Sequence, residues 1–204
     1  MSNICSQVYF LCTIHLATYR EGRLLVLLVK EGARAREYEH ALLWLIDCGL
    51  VHKAHRVSKP NIPLKVYEDL KAFKLFLLDI GLLSCMTHLS QKTLLDGNFL
   101  FKEFKGALTE QYVLQQLKTL PNIGVYYWTN ERNTSEIDFL LDANSNIIPI
   151  EVTAETNLKS KSLRGFSEKY TPTISIRSSM SDYKKDDLVL NLPLYAISNI
   201  LYEI

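Results

Sequence analysis

The stretch from Glu136 to Thr153, EIDFLLDANSNIIPIEVT, constrains the fold more than any other part of this chain. Side chains alternate along a strand, so Glu136, Asp138 and Leu140 fall on one face of a first strand and Ile137 and Phe139 on the other. Asp142-Ala143-Asn144-Ser145-Asn146 is turn chemistry, because Asp and Asn tolerate left-handed backbone and bond locally. On the return strand Ile148, Ile150 and Val152 share a face, opposite Pro149, Glu151 and Thr153. A hairpin that closes with Asp138 facing Glu151 brings two carboxylates together at the end of a sheet, the outline of a hard-cation site. The alternative is a pair of acids facing solvent, the common situation of charged residues.

The rest of the composition sets bounds. With 204 residues the chain is one large domain or two small ones, and 48% apolar with 22% charged residues is ordinary for a globular protein. A net charge of +1 supplies no global attraction to nucleic acid, so any basic surface must come from local clustering. Cys5, Cys12, Cys48 and Cys85 form no CxxC pair and read as reduced thiols of a cytoplasmic protein. Ile4–Tyr19 is nearly free of charge but short of the ~20 apolar residues that span a bilayer. It has no basic start, so it reads as an amphipathic or buried helix, and no membrane partner is expected.

Residues 1–29 carry little further pattern. Leu24–Val29 is apolar all round and fits a buried helix or strand equally. Ala33–Cys48 predicts a helix with Ala35, Tyr38, Ala41, Leu42 and Leu45 on one stripe, stopped by Gly49. Leu50–Val57 predicts a strand, and Leu64–Tyr67 a returning one after a Pro-punctuated connection. A helix followed by a small hairpin is the arrangement of a winged helix. From His52 to Lys65 the cations Lys53, Arg56, Lys59 and Lys65 stand with no acid among them. With Arg34 and Arg36 they make a candidate phosphate-contacting face; a solvated wing packed on another module is the alternative.

Phe73–Met86 predicts a buried strand or helix broken at Gly81, and Gln91–Gly97 a boundary. The domains expected are therefore 1–92, helical and winged-helix-like, and 93–204. The second opens on a helix over Phe99–Leu120, with Phe104, Leu108, Tyr112 or Val113, and Leu117 toward its buried face. A strand Ile123–Thr129, the hairpin, a helix Leu158–Tyr170, strands at Thr173–Ile176 and Leu188–Leu190, and a closing helix Leu194–Glu203 follow. That order predicts an α/β sandwich on a small mixed sheet. Cys48, His52 and His55 mimic half a zinc site, but histidines three apart on a strand point to opposite faces. Trp44 and Trp128, with Tyr126 and Tyr127, read as core rather than as base-stacking platforms.

A Glu in the leading helix, an Asp on the second strand and a Glu on the third resemble the restriction-endonuclease-like PD-(D/E)XK fold. More closely, the chain resembles the C-terminal portion of a group of prokaryotic AAA-type ATPases, in which a winged helix precedes a nuclease-like domain of unassigned function. The segments that carry the resemblance are KEGARAREYEHALLWLIDCGLVHKAHRVSKPNIPL, KLFLLDIGLL, KGALTEQYVLQQL, YYWTNERNTSEIDFLL, IIPIEVTAETNLKSKSL and NLPLYAI. No GxxxxGK[ST] occurs, so this chain carries no Walker-type ATPase site.

The resemblance implies Glu110, Asp138 and Glu151 as Mg²⁺ ligands. It places Thr153 where active nucleases of this fold usually have the lysine that orients the attacking water and offsets charge on the phosphate. A threonine hydroxyl brings no positive charge, and Lys159 or Lys161 on the following helix is the candidate replacement. The favoured expectation is a non-catalytic or weakened nuclease-like module that binds nucleic acid or a protein partner, such as an ATPase-bearing chain or a copy of itself. The alternatives are a Mg²⁺-dependent DNA endonuclease with a relocated lysine and a decayed fragment.

Overall fold

The computed structural model describes residues 17–19, 35–89, 92, 102–155, 161–186 and 189–203, with the side chains of 17–19, 35–38 and 102–104 left aside. The fold is mixed α/β. The chain divides into two compact units: Met1–Ala54 with Leu70–Gln111, and His55–Asp69 with Tyr112–Ile204. The expected division was sequential, whereas these units interleave along the chain.

In the first unit a short strand β1 (Ala17–Tyr19) pairs antiparallel with β3 (Glu68–Leu77), Thr18 opposite Lys74, and β3 neighbours β2 (Val51–Val57). Thus a strand stands at the end of the stretch expected to be helical; Ile4–Leu16, Leu24–Val29 and most of Gln91–Gly97 lie outside the described residues. The helix α1 (Ala35–Asp47) ends as its sequence predicts. Gly49 takes φ +73°, its N–H donates to the Ile46 carbonyl, and the Leu50 N–H donates to Leu45. These are the two bonds of a Schellman stop, which needs left-handed backbone at the glycine. Ala41, Leu42 and Leu45 bury their stripe against Val51, Phe73, Leu75, Leu77, Leu83 and Leu108. Trp44 sits off that stripe and is 48% exposed, so its assignment to the core is corrected.

The break in Phe73–Met86 falls at Asp79 rather than at Gly81. Strand β3 runs to Leu77, and Asp79 Oδ1 accepts the Leu82 N–H at 2.7 Å, capping the helix α2 (Ile80–Met86). Gly81 lies within its first turn.

In the second unit the end of β2 runs parallel to β4 (Gly124–Thr129), with Arg56 opposite Tyr127, and the strands continue in the order β2, β4, β5, β6, β7, β9, β8. The expected strand Leu64–Tyr67 is instead a 3-10 turn. The Val66 N–H donates to Pro63, the Leu64 N–H donates to Asp142 Oδ2 at 3.0 Å, and Leu64 is fully buried. The anchoring of Leu64 in the core takes precedence over strand pairing there.

The hairpin of β5 (Glu136–Ala143) and β6 (Asn146–Val152) forms as predicted, paired from Phe139–Ile150 to Ala143–Asn146. Its two-residue turn places Asn144 at φ +50° and Ser145 at φ +60°, the geometry that matches strand twist. Strands β6, β7 (Ser175–Ser179) and β9 (Val189–Pro193) are parallel, and β8 (Lys184–Asp186) closes the edge antiparallel to β9. Strand β7 is displaced toward the C-terminus from its expected span, β8 has no counterpart in the sequence reading, and the closing helix is a 3-10 helix, Leu194–Tyr202.

The helix α4 (Lys161–Tyr170) covers one face with Leu163 and Phe166, packed with Val57, Leu64, Tyr126, Trp128, Ile137 and Leu140. Trp128 meets Phe166 and Tyr170 edge to face at 5.1 and 5.7 Å. From the helix α3 (Lys102–Leu117), Val113, Leu114 and Leu117 are fully buried, so Val113 rather than the half-buried Tyr112 continues its apolar stripe.

Candidate functional site

Asp138 and Glu151 come together at the open end of the β5–β6 hairpin. The regular pairing of the two strands ends at Phe139 and Ile150; Asp138 and Glu151 are the next positions along each strand. There the Asp138 carboxylate takes over as acceptor: the Val152 N–H donates to its Oδ2 at 2.7 Å. The Glu151 carboxylate reaches across the sheet face to α4, whose Leu163 N–H donates to Oε2 at 3.2 Å. The first-turn N–H groups of a helix have no intrahelical partner, and a negative charge there is favourable. Both acids are half-buried.

Beside Glu151, in register on the parallel strand β7, stands Arg177. Burial lowers its pKa, while the charges of Glu151 and Asp186 raise it and Arg164 lowers it further. Its Nε is buried without a hydrogen-bond partner. Arg177 is the residue that sequence reasoning missed at this site. The available signal was a lone cation among Ile and Ser in SIRSS, on the strand next to an acid-bearing one.

Thr153, the residue that the resemblance sets in the place of a lysine, is used locally. Its N–H donates to the Ser178 carbonyl at 2.9 Å, and its Oγ1 accepts the Glu155 N–H at 3.3 Å. Lys161 opens α4 and is exposed, and Lys159 lies outside the described residues.

Glu110 belongs to the first unit, where its Oε2 stands 3.5 Å from the Lys74 ammonium, a side chain only 6% exposed. The next residue, Gln111, donates from Nε2 to the Leu77 carbonyl at 2.7 Å and accepts the Leu77 N–H at 2.9 Å. This part of α3 is thereby clamped to β3. Among the described residues, no group of three or more His, Cys, Asp and Glu side chains is gathered so as to hold a metal ion.

The expected phosphate contacts have separate fates. Arg34 and the side chain of Arg36 lie outside the described residues. In the first unit Lys53 holds its ammonium 3.9 Å from the centroid of the Phe73 ring, a cation–π contact. In the second unit Arg56 forms an ion pair with Asp69, an acid just beyond the window in which the sequence shows none. Lys59 and Lys65 are exposed, on the same loop as Ile62 and Val66.

A separate cleft of about 180 Å³ lies at the turn end of the hairpin, walled by Pro60, Ile62, Asn146, Phe166, Tyr170 and Thr173. It is at the opposite end of β5 and β6 from Asp138 and Glu151, and so is not the carboxylate site. Among the described residues, no helix is long and apolar enough to cross a membrane.

Neither the curated proteins nor the solved structures contain a match to this chain. Two families of uncharacterised role do match. Residues 14–93 are similar to a domain of unknown function (DUF8612), and residues 105–197 to a domain of unknown function (DUF4143). The latter occurs generally in the C-terminal region of AAA-ATPase-associated proteins, in agreement with the coarser part of the sequence resemblance.

Proposed function

We propose that this chain is a non-catalytic, nuclease-like module that acts by binding a protein partner. The observation that carries this reading is the commitment of both strand carboxylates to the framework. Asp138 closes the end of the β5–β6 ladder at Val152, and Glu151 caps α4 at Leu163. The donor set fits Mg²⁺ poorly, because that ion requires oxygen ligands in near-ideal octahedral geometry. Here one oxygen of each acid already accepts a backbone N–H, and Arg177 is the register partner of Glu151 on β7. Thr153 adds no charge in the lysine position, and the loss of one electrostatic stabiliser of that kind typically costs ~10²–10³ in rate.

The choice of partner rests on the loop between β2 and β3. The order α1, β2, loop, β3 is that of a winged helix and supports that assignment for the N-terminal part. In the second unit the loop presents Val66 at 73% and Ile62 at 45% exposure, while Arg56 is engaged by Asp69. An apolar tip flanked by lysines suits a protein surface better than a phosphate backbone, which calls for cations. Nucleic acid is the competing reading, favoured by exposed Lys59 and Lys65.

Fluorescence anisotropy with a labelled DNA duplex at physiological salt, beside sedimentation of the chain and of Val66→Asp, tests the proposal. It expects DNA affinity no better than the non-specific range of ~10⁻⁴–10⁻⁶ M, and association lost in Val66→Asp. Tighter DNA binding that disappears when Lys59 and Lys65 are both changed to Glu would transfer the function to nucleic acid.

A further inference from the structure

The cleft at the turn end of the β5–β6 hairpin is graded from apolar to polar. Pro60 and Phe166 are buried and form its floor, while Thr171 and Thr173 are exposed and form its rim. Ile62, from the loop between β2 and β3, and Tyr170, at the end of α4, stand as its walls. Its volume of about 180 Å³ is below the ~300–1,000 Å³ of pockets that enclose small-molecule ligands and is of the order of one large side chain. The side chain that suits it has an apolar body and a polar tip, as tyrosine has. No acid lines the cleft, and cations flank it. Lys59 precedes Pro60 and is exposed, and Lys169 holds its ammonium 5.0 Å from the centroid of the Tyr170 ring.

A matching projection stands elsewhere on the same unit. The 3-10 helix Leu194–Tyr202 buries Ile197 and Ile200 and leaves its last residue, Tyr202, 89% exposed. Glu203 follows, its Oε2 accepting the Tyr183 hydroxyl at 3.3 Å. An exposed ring beside a carboxylate is complementary, in shape and in sign, to an aromatic-floored cleft beside ammonium groups. The two do not meet within one chain. Tyr183 immediately precedes β8, so Glu203 lies at the β8 edge of the sheet, whereas the cleft opens at the first residue of β6. Strands β7 and β9 intervene, a separation of about 14 Å at ~4.8 Å per strand, further than a side chain reaches.

We propose that Tyr202 of one copy of this chain inserts into this cleft on a second copy, with Glu203 set against Lys59 and Lys169. The proposal rests on the protein-binding reading above and names the partner as the chain itself. The contact joins unlike surfaces, so each added copy still offers one Tyr202 and one open cleft. Association of this kind runs on to a closed ring or an open array instead of stopping at a symmetric pair.

Sedimentation of the full chain and of three variants tests it. Tyr202→Ser removes the ring from an exposed position, and Thr173→Trp fills the cleft from its exposed rim at the cost of one bond to Asn146. Each is expected to weaken self-association at least ~10-fold, as truncation of a central interface aromatic does, while Tyr202→Phe retains it. The deciding sample is an equimolar mixture of Tyr202→Ser, which keeps an open cleft, and Thr173→Trp, which keeps its Tyr202. It is expected to give a species of two chains and no larger.

A mixture that stays monomeric overturns the proposal, as does undiminished association of Tyr202→Ser or of Thr173→Trp. If association is nonetheless lost in Val66→Asp, the protein-binding reading stands with a different contact. A natural chain that is monomeric up to millimolar concentration overturns both the proposal and the self-association expected under that reading. Circular dichroism identifies a variant that does not fold. Should Thr173→Trp be one, Ile62→Asp replaces it, putting a carboxylate in the wall where Glu203 is to approach.

Discussion

Replacing Gln111 by Met removes two hydrogen bonds from a single buried backbone position without emptying its volume. Gln111 is 1% exposed, and its side-chain amide both donates to the Leu77 carbonyl at 2.7 Å and accepts the Leu77 N–H at 2.9 Å. Leu77 is itself fully buried at the last position of β3, so water cannot take over either bond. A buried polar group left without its partner costs ~1–3 kcal/mol, and the two together roughly 2–6 kcal/mol. Methionine has nearly the length of glutamine and adapts to the pocket, which keeps the cavity contribution small. Two measurements read the effect. Urea denaturation reports the loss of stability, and native-state hydrogen exchange reports the Leu77 amide, whose exchange is expected to accelerate by at least ~10-fold, the factor for ~1.4 kcal/mol. Stability within ~0.5 kcal/mol of the natural chain, with Leu77 exchange unchanged, would refute the claim that residues 110 and 111 clamp this helix to β3. With it would go the structural role assigned to Glu110 beside Lys74.

Two further outcomes follow from the second unit. Thr171 takes φ +44° after α4, where its N–H donates to the Ser167 carbonyl; left-handed backbone is costly for a β-branched residue, so Thr171→Gly is expected to gain about 1 kcal/mol in urea denaturation, and a loss would show that no strain is held there. Burial, then the charges of Glu68 and Asp142 and a hydrogen bond to Glu68, push the Tyr126 phenol above its ordinary pKa. A raised folded-state value means that the stability due to this group is fully present below the unfolded value of ~10 and is lost as pH rises through the folded one. Stability of the natural chain should therefore fall more steeply than that of Tyr126→Phe above about pH 10, and parallel curves would remove Tyr126 from the explanation.

Much of the architecture is legible in the residues because local pattern dictates it. The stripe of Ala41, Leu42 and Leu45 with Gly49 behind it defines α1, and strict alternation around Asn144-Ser145 defines the hairpin. What local pattern cannot supply is pairing across distance. Leu64–Tyr67 has the composition of a strand, but the bond from Leu64 to Asp142 and the burial of Leu64 hold it as a turn. Lys184–Asp186, entirely exposed, lacks the alternation by which a strand is recognised and exists because β9 offers an edge.

The same limit governs the candidate site. Asp138 and Glu151 could be paired on paper because one short hairpin joins them. Arg177, Lys74 and Asp69 lie on other elements, and each changes the meaning of a charge singled out from the sequence: Glu151, Glu110 and Arg56 respectively. A residue type at a given spacing states what chemistry is available; its cross-strand neighbour states whether that chemistry is already in use.

The most direct test of the central claim, that the strand carboxylates serve the framework and not a reaction, is a nicking assay on supercoiled DNA in Mn²⁺. It should compare the natural chain with Thr153→Lys, which places a positive charge two residues after Glu151, where the nuclease resemblance expects one. The account predicts no nicking above the protein-free control for either. Mn²⁺-dependent nicking by either one, abolished by Asp138→Ala, would contradict it.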